Sequence, residues 1–371
     1  AALDSGFTPA TIVVDAPIEI ETPEGLWTPK NASNKFYGPT PLRTGIEQSR
    51  NLMTIRIGQE IGMDLVASYA EKFGVYTNMN PFLANALGAQ ESTLFKMVAA
   101  YAMFANGGER VEPTLVDRVQ DRFGKTIYRH DQRQCVDCAL PTLPKGQGVT
   151  IKSDRERVMD AITAYQLTSM MEGVVIRGSG SRVRLPVPVA GKTGTTNDAK
   201  DVWFIGYSSE VVAGCYMGFD QPRSLGEGAF GGTLCVPIFQ EFMKEAVATY
   251  GGTEFAVPPG GYFQKIDRFT GAKLPADATG DNVISEYFRE GEEVLFGLDA
   301  LVDGGFAMGS DLPLFAAGET DADLVDTVTT SDGQQKAVPK KANFGTLSSG
   351  AAGSVLRGRI VGGPGGRHQV E

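Results

Sequence analysis

Histidine is nearly absent: the 371 residues contain only two, His130 and His368. A serine–histidine–aspartate relay needs an imidazole beside its nucleophile. His130 stands next to a cysteine-bearing loop and His368 in the last four residues, so that route is closed. Imidazole-rich metal centres are excluded with it. Cys135 and Cys138, with His130 as the one extra ligand nearby, make half a zinc site at best, and we expect no metal and no cofactor. A basic excess is missing too. Lys and Arg total 34 against 44 Asp and Glu, giving a net charge of -10 and a pI near 4.9. A field of that sign repels phosphate backbones, so nucleic acid is not an expected partner. No apolar run is long enough to span a bilayer, and no secretory leader opens the chain.

What is present reads as a globular protein. The hydrophobic fraction is 42% and the charged fraction 21%, ordinary values for a chain that buries a core. The length suggests two or three domains, or one large domain with appendages. The first residues, AALDSGF, look like the tail of an apolar helix running into a turn. They are expected to be cut from something longer, with any membrane anchor upstream; a processed mature terminus is the alternative. Four cysteines allow three pairings, and spacing alone does not choose among them. A local Cys135–Cys138 disulfide formed in an oxidising compartment is the favoured reading of CVDC. Cys215 lies in an apolar strand and Cys235 just before a helix.

Residues 1–40 mix Pro, Gly and Asn with short β-prone runs such as TIVVD and read as a loop-rich connection. Residues 41–106 are helical: GIEQSRNLMTIRIGQEIG, MDLVASYAEKFG and ESTLFKMVAAYAMFANGG carry apolar residues at three- and four-residue spacing and end on Gly. The alternation around DRFG predicts a hairpin, and 158–176 predicts a long helix ended by RGSGSR. Over 187–219 the period changes to that of three β-segments close enough to be antiparallel, with Trp203 and Phe204 expected in the core of the sheet. PIFQEFMKEAVATY closes the sheet with a helix. Residues 252–300 form a Pro- and Gly-rich extension. From 301 to 371 the composition is too poor in apolar residues to offset ordering entropy, and a disordered tail is expected.

The stretch VAGKTGTTNDAKDVWFIGY contains GKT, the ending of a phosphate loop. Such a loop needs a glycine five positions before Gly191 and a helix after it. Pro186 occupies that position and a strand follows, so nucleotide binding is rejected. Lys192-Thr193-Gly194 on a strand, beside a helical region carrying Ser49-Arg50-Asn51, fits serine acyl transfer instead. An edge strand offers its amides and carbonyls to an extended peptide. Gly194 lets substrate lie close. Lys192 places a positive charge beside a substrate carboxylate and a reacting hydroxyl, and Thr195 adds a hydroxyl donor. Ser49 supplies a hydroxyl that relays a proton, and Asn51 an amide for a substrate carbonyl. Taken singly, Ser49 would be read as a helix cap and Asn51 as a turn residue; order and spacing together favour the site.

Several long stretches then resemble one family. LDSGFTPATIVVDAP, FYGPTPLRTGIEQSRNLMTIRIGQEIG, NALGAQESTLFKMVAAYAMFANGG, VAGKTGTTNDAKDVWFIGYS and PIFQEFM are similar to the transpeptidase domain of class A, bifunctional penicillin-binding proteins of the 1A type. The likeness runs from residue 1 to roughly 295. It implies an α+β fold, an antiparallel sheet flanked by helices with an all-α subdomain. Residues 1–251 would form the transpeptidase domain, with the all-α portion at 41–106 and the sheet and closing helix at 187–251. It also implies peptidoglycan D,D-transpeptidation: a serine attacks the D-Ala-D-Ala amide of a stem peptide, and the acyl-enzyme passes to an amine of a neighbouring strand. Ser49, Asn51 and Lys192 would be catalytic. Thr193, Gly194, Thr195 and Thr196 would bind substrate, the Thr195 amide serving as one oxyanion-hole donor. β-Lactams would be ligands of the same site. The setting would be the periplasmic face of a bacterial inner membrane, with an anchor and a glycosyltransferase domain upstream and other cell-wall synthesis proteins as partners.

One element of the pattern is missing. No serine in the chain has a lysine three residues later, so S-x-x-K is absent. In the family it lies just before the segment resembling AALDSGFTP, and the nucleophile is expected upstream of residue 1. A non-catalytic relative acting as a cell-wall binding or scaffold module is the competing reading.

Overall fold

The structure, a computed structural model, describes residues 1–23, 25–142, 150–152 and 155–291, together with the backbone of strands at 301–302, 325–329 and 335–339. After a single helical turn at Ala2–Ser5, β1 (Ile12–Asp15) is buried along its whole length. A small hairpin, β2 (Ile20–Thr22) with β3 (Gly25–Trp27), leads to β4 (Gly38–Pro41), which runs antiparallel to β1.

The helical region comprises α1 (Leu42–Glu47), α2 (Asn51–Ile61), α3 (Met63–Lys72) and α4 (Leu94–Ala105). The helix expected to run unbroken through GIEQSRNLMTIRIGQEIG is two helices. α1 stops at Glu47, and the Arg50 amide turns back to the Gly45 carbonyl at 2.9 Å. α4 starts where the Thr93 hydroxyl accepts from the Lys96 amide, a side-chain cap. It ends on Gly107 and Gly108, with φ of 63° and 88°, the left-handed stop that glycine permits. A Cβ at Gly108 would lie 2.2 Å from the Met159 carbonyl oxygen, so this position is closed to side chains twice over.

The predicted hairpin is β5 (Arg118–Gln120) with β6 (Thr126–Arg129), turning on Asp121-Arg122-Phe123-Gly124. β7 (Gln134–Cys135) pairs with β8 (Ile151–Lys152) beside a Cys135–Cys138 disulfide. The favoured local bridge is thus present. α5 (Ala161–Arg177) is capped by the Asp160 carboxylate, which accepts from the Ile162 amide at 2.9 Å.

The central sheet has the order β11–β10–β9, all antiparallel as expected: β9 (Ala190–Thr195), β10 (Asp201–Tyr207) and β11 (Val212–Gly218). Its strands alternate between two helical layers. The face carrying Lys192, Ile205 and Gly214 meets α4, for Gly214 lies against Leu94 and Val98. The face carrying Thr193, Phe204 and Cys215 meets α6 (Val236–Tyr250), where Phe204 stacks edge-on to Phe239 at 4.7 Å. Phe204 is fully buried, as expected; Trp203 is only half-buried and lies on Tyr216. A second disulfide, Cys215–Cys235, joins β11 to the turn preceding α6, a pairing that spacing left open.

β12 (Gly261–Asp267) and β13 (Val283–Arg289) form a hairpin whose Ile266 and Phe288 bury against Ala10. β14 (Leu301–Val302) adds to β1 in parallel, and β15 (Val325–Thr329) pairs with β16 (Gln335–Pro339). Apart from these strands, the tail expected to be disordered lies outside the described residues.

A buried charge network ties the hairpin to the helices. The Arg43 guanidinium donates to both Glu286 carboxylate oxygens, one at 2.8 Å, and to the Ser169 hydroxyl at 2.8 Å. It also reaches Glu47 at 3.3 Å, and Arg177 donates to Glu47 at 2.9 Å. Arg43, Glu47 and Glu286 are each no more than 1% exposed. Ions removed from water this completely persist only when paired and hydrogen-bonded.

Candidate active site

The break between α1 and α2 makes the site. Ser49 sits in it with φ of 56°, the left-handed region that side chains seldom enter. The strain is held by the Ser49 amide bonding to the Ile46 carbonyl at 3.2 Å and by Arg50, whose guanidinium lies 3.2 Å over the Tyr37 ring. The expectation that Ser49 lies on a helix is therefore corrected. It is the junction residue, and its hydroxyl projects towards the sheet because the helix is interrupted there.

Across from it stands β9, an edge strand of the central sheet. Lys192 leaves β9 on the α4 side, and its Nζ donates to Ser49 Oγ at 2.7 Å and to the Thr193 carbonyl at 3.0 Å. No carboxylate lies within ion-pair distance of this ammonium among the described residues. Burial pulls its pKa down to about 8, since desolvation disfavours the charged form. Among the described residues this cation has no counter-ion, so an anion brought to β9 would pair with it without displacing a carboxylate.

Asn51 occupies the first position of α2, one residue past Arg50. Its side-chain amide donates to the Lys30 carbonyl at 2.8 Å, and its backbone amide donates to Asn31 Oδ1 at 2.9 Å. Asn31 in turn donates to the buried Asp15 carboxylate at 2.7 Å. Asn51 thus flanks the site without bonding to Ser49 or Lys192.

The threonines divide. The Thr193 hydroxyl is 2.6 Å from the Ser179 hydroxyl. Thr195 accepts from the Gly231 amide at 3.2 Å and is exposed. The Thr196 hydroxyl is engaged by Asp201, whose amide donates to it at 2.8 Å, and so closes the turn between β9 and β10. At Gly194 a Cβ would come to 3.1 Å from Trp203 Cβ, so packing across the β9–β10 pair favours the missing side chain.

Sequence reasoning missed what supports this pair. Ser179, Glu47, Gly173 and Gly178 surround the junction. A Cβ at Gly173 would lie 2.0 Å from a Glu47 carboxylate oxygen, and one at Gly178 would lie 2.1 Å from the Glu47 carbonyl oxygen. Both glycines make room for a buried acid two residues before Ser49. RGSGSR read only as the end of a helix, and nothing in its spacing pointed at Glu47.

Residues 1–244 match the family described as the penicillin binding protein transpeptidase domain. The chain belongs to that family. Its transpeptidase domain is of the penicillin-binding protein 1A type. It is 40% identical to penicillin-binding protein 1A of Rickettsia bellii over 282 residues, covering 74% of this chain and 36% of the relative. It is 36% identical to penicillin-binding protein 1A of Pseudomonas aeruginosa over 347 residues, covering 84% of this chain and 42% of the relative. Among solved structures it is similar to penicillin-binding protein 1A from Haemophilus influenzae, with 30% identity and a TM-score of 0.68 over 80% of this chain and 47% of that one. The PonA1 protein from Mycobacterium tuberculosis in complex with penicillin V shares the fold, with a TM-score of 0.57 at 20% identity over 69% of this chain and 68% of that one. The chain spans about two fifths of the curated relatives it matches.

Proposed function

We propose that this chain is the transpeptidase part of a bifunctional peptidoglycan synthase. It transfers the acyl group of a D-Ala-D-Ala stem peptide to an amine of a second strand. The observation that carries this reading is the 2.7 Å contact between Lys192 Nζ and Ser49 Oγ at the edge strand β9. The nucleophilic serine and its lysine belong to a segment preceding Ala1.

In this reading the donor peptide lies along the open edge of β9. Its terminal carboxylate meets the uncompensated Lys192 ammonium and the Thr193 and Thr195 hydroxyls. Ser49, hydrogen-bonded to Lys192, hands a proton to the leaving amine. The positive charge beside it holds the Ser49 oxygen ready to give that proton up. Asn51, fixed by Lys30 and Asn31, orients the donor carbonyl. The acyl ester splits one hard displacement into two easier ones. A β-lactam carries both the strained amide and the carboxylate, and occupies the same groove. The two disulfides fit the periplasmic face of an inner membrane, where the upstream anchor would hold the enzyme.

The test is covalent labelling by a fluorescent penicillin. The chain beginning at Ala1 is expected to stay unlabelled, and the chain extended upstream through its serine to be labelled. A stable adduct on the shorter chain, or none on the longer, overturns the assignment. The Lys192 pKa near 8 adds a pH signature. As pH rises through about 8 the ammonium is lost, so the advantage of a carboxylate-bearing ligand over its neutral ester should shrink. Rates for benzylpenicillin and its methyl ester between pH 6.5 and 9.5 measure that ratio; a ratio constant with pH removes Lys192 from carboxylate recognition.

A further inference from the structure

Ser179 lies outside the motifs and outside the roles given above. It is exposed, and it stands where the two halves of the site meet. Its amide donates to the Glu47 carbonyl at 3.2 Å, on the helix that ends at the Ser49 junction. Its hydroxyl lies 2.6 Å from the Thr193 hydroxyl, on the edge strand.

This placement is fixed from several sides. The Gly178 and Gly180 amides both bond to the Val174 carbonyl, at 3.1 and 3.0 Å. Gly178 lets the Glu47 carbonyl approach to a distance that no side chain would allow. The Glu47 carboxylate is locked between Arg43 and Arg177. The Ser179 hydroxyl is therefore presented to Thr193 by a buried, charge-tied frame.

Resting on the acyl-transfer reading, we propose that Ser179 is a positioning residue for the substrate carboxylate. Its hydroxyl donates to Thr193 Oγ1 and so turns the Thr193 hydrogen outward, onto the carboxylate. Two hydroxyls in contact share one hydrogen between them. If Thr193 donated to Ser179, it would show the anion only lone pairs. An anion at β9 selects the opposite order, Ser179 to Thr193 to carboxylate, and a chain of donors running one way strengthens each link. Ser179 thus contributes to the preference of the site for an anionic chain end without touching it.

The experiment uses the full-length protein, with its upstream serine, and compares second-order acylation by benzylpenicillin and by its methyl ester. Ser179→Ala is expected to lower the rate with benzylpenicillin roughly fivefold, about the worth of one neutral hydrogen bond, and to leave the rate with the ester unchanged. Ser179→Thr keeps the hydroxyl and should retain the wild-type ratio. An equal fall with both ligands makes the effect merely structural and overturns the proposal, as does no fall with either. If the unmutated protein is not acylated at all, the acyl-transfer reading fails first and takes this one with it.

Discussion

Replacing Lys192 with methionine is expected to slow acylation of the full-length protein by benzylpenicillin at least a hundredfold while leaving its thermal stability unchanged or raised. The two halves of this expectation have one cause. The ammonium is largely withdrawn from water, with a hydroxyl and a carbonyl as its hydrogen-bond partners and, among the described residues, no carboxylate within ion-pair distance. Proton transfer by a positioned group is commonly worth 10²–10⁴ in rate, roughly, and in the proposed mechanism Lys192 is the charge that supports it at Ser49. In the folded state, however, the same charge is held at a cost. Its folded pKa of about 8 lies below the ordinary 10.5, so the unfolded chain binds the extra proton between those values. The cost is therefore fully present below pH 8 and is relieved as pH rises towards 10.5. Methionine keeps the length of the side chain and removes the charge, so the variant should lack that rise of stability with pH. Function and stability oppose each other at this residue, as strained sites commonly require. Parallel melting curves and acylation rates at pH 7 and 9.5 measure both. Near-normal acylation removes Lys192 from the mechanism, and a large loss of stability shows that the ammonium holds the fold.

This opposition also explains how much of the site was legible in the chain. Lys192-Thr193-Gly194 and Ser49-Arg50-Asn51 break local expectations: a lysine on a short strand of small and hydroxyl residues inside the sheet region, and a polar triplet inside a helical period. Residues that violate the pattern of their element are where function tends to show. The antiparallel strands, the DRFG turn and the long helix before RGSGSR were legible because each is a local period or a turn chemistry. The break at Ser49 was not, because α1 and α2 continue one apolar rhythm and only the short Gln48–Arg50 link, with its left-handed serine, separates them. Glu47 and Arg43 were invisible for a different reason. Charged residues at helical spacing read as a solvated face, and their burial depends on Glu286, which lies 243 residues from Arg43. Gly173 likewise looks like a weak point in a helix until the carboxylate it accommodates is seen.

Glu286→Ala is expected to destabilise the protein by about 3–5 kcal/mol, the usual cost of stripping one partner from a buried ion pair. Arg43 and Glu286 are 2% and 0% exposed along their side chains, and Glu286 accepts from two guanidinium nitrogens at once. Without it, Arg43 keeps Glu47 and the Ser169 hydroxyl, but Glu47 is already shared with Arg177. One buried carboxylate would then serve two guanidiniums, and a net positive charge would stay inside. The double variant Arg43→Met, Glu286→Leu removes both ions, leaves the Glu47–Arg177 pair intact, and should recover most of the loss. Urea unfolding of the two variants against the parent separates a charge effect from a packing effect. A loss below about 1 kcal/mol for Glu286→Ala, below the range for breaking a buried pair, shows that Arg43 does not depend on the hairpin. A double variant no better than the single one assigns the cost to packing. The consequence reaches the chemistry, because Glu47 sits two residues before Ser49 and its carbonyl anchors Ser179. A hairpin beyond the sheet therefore sets the charge balance of the frame around Ser49 and Ser179.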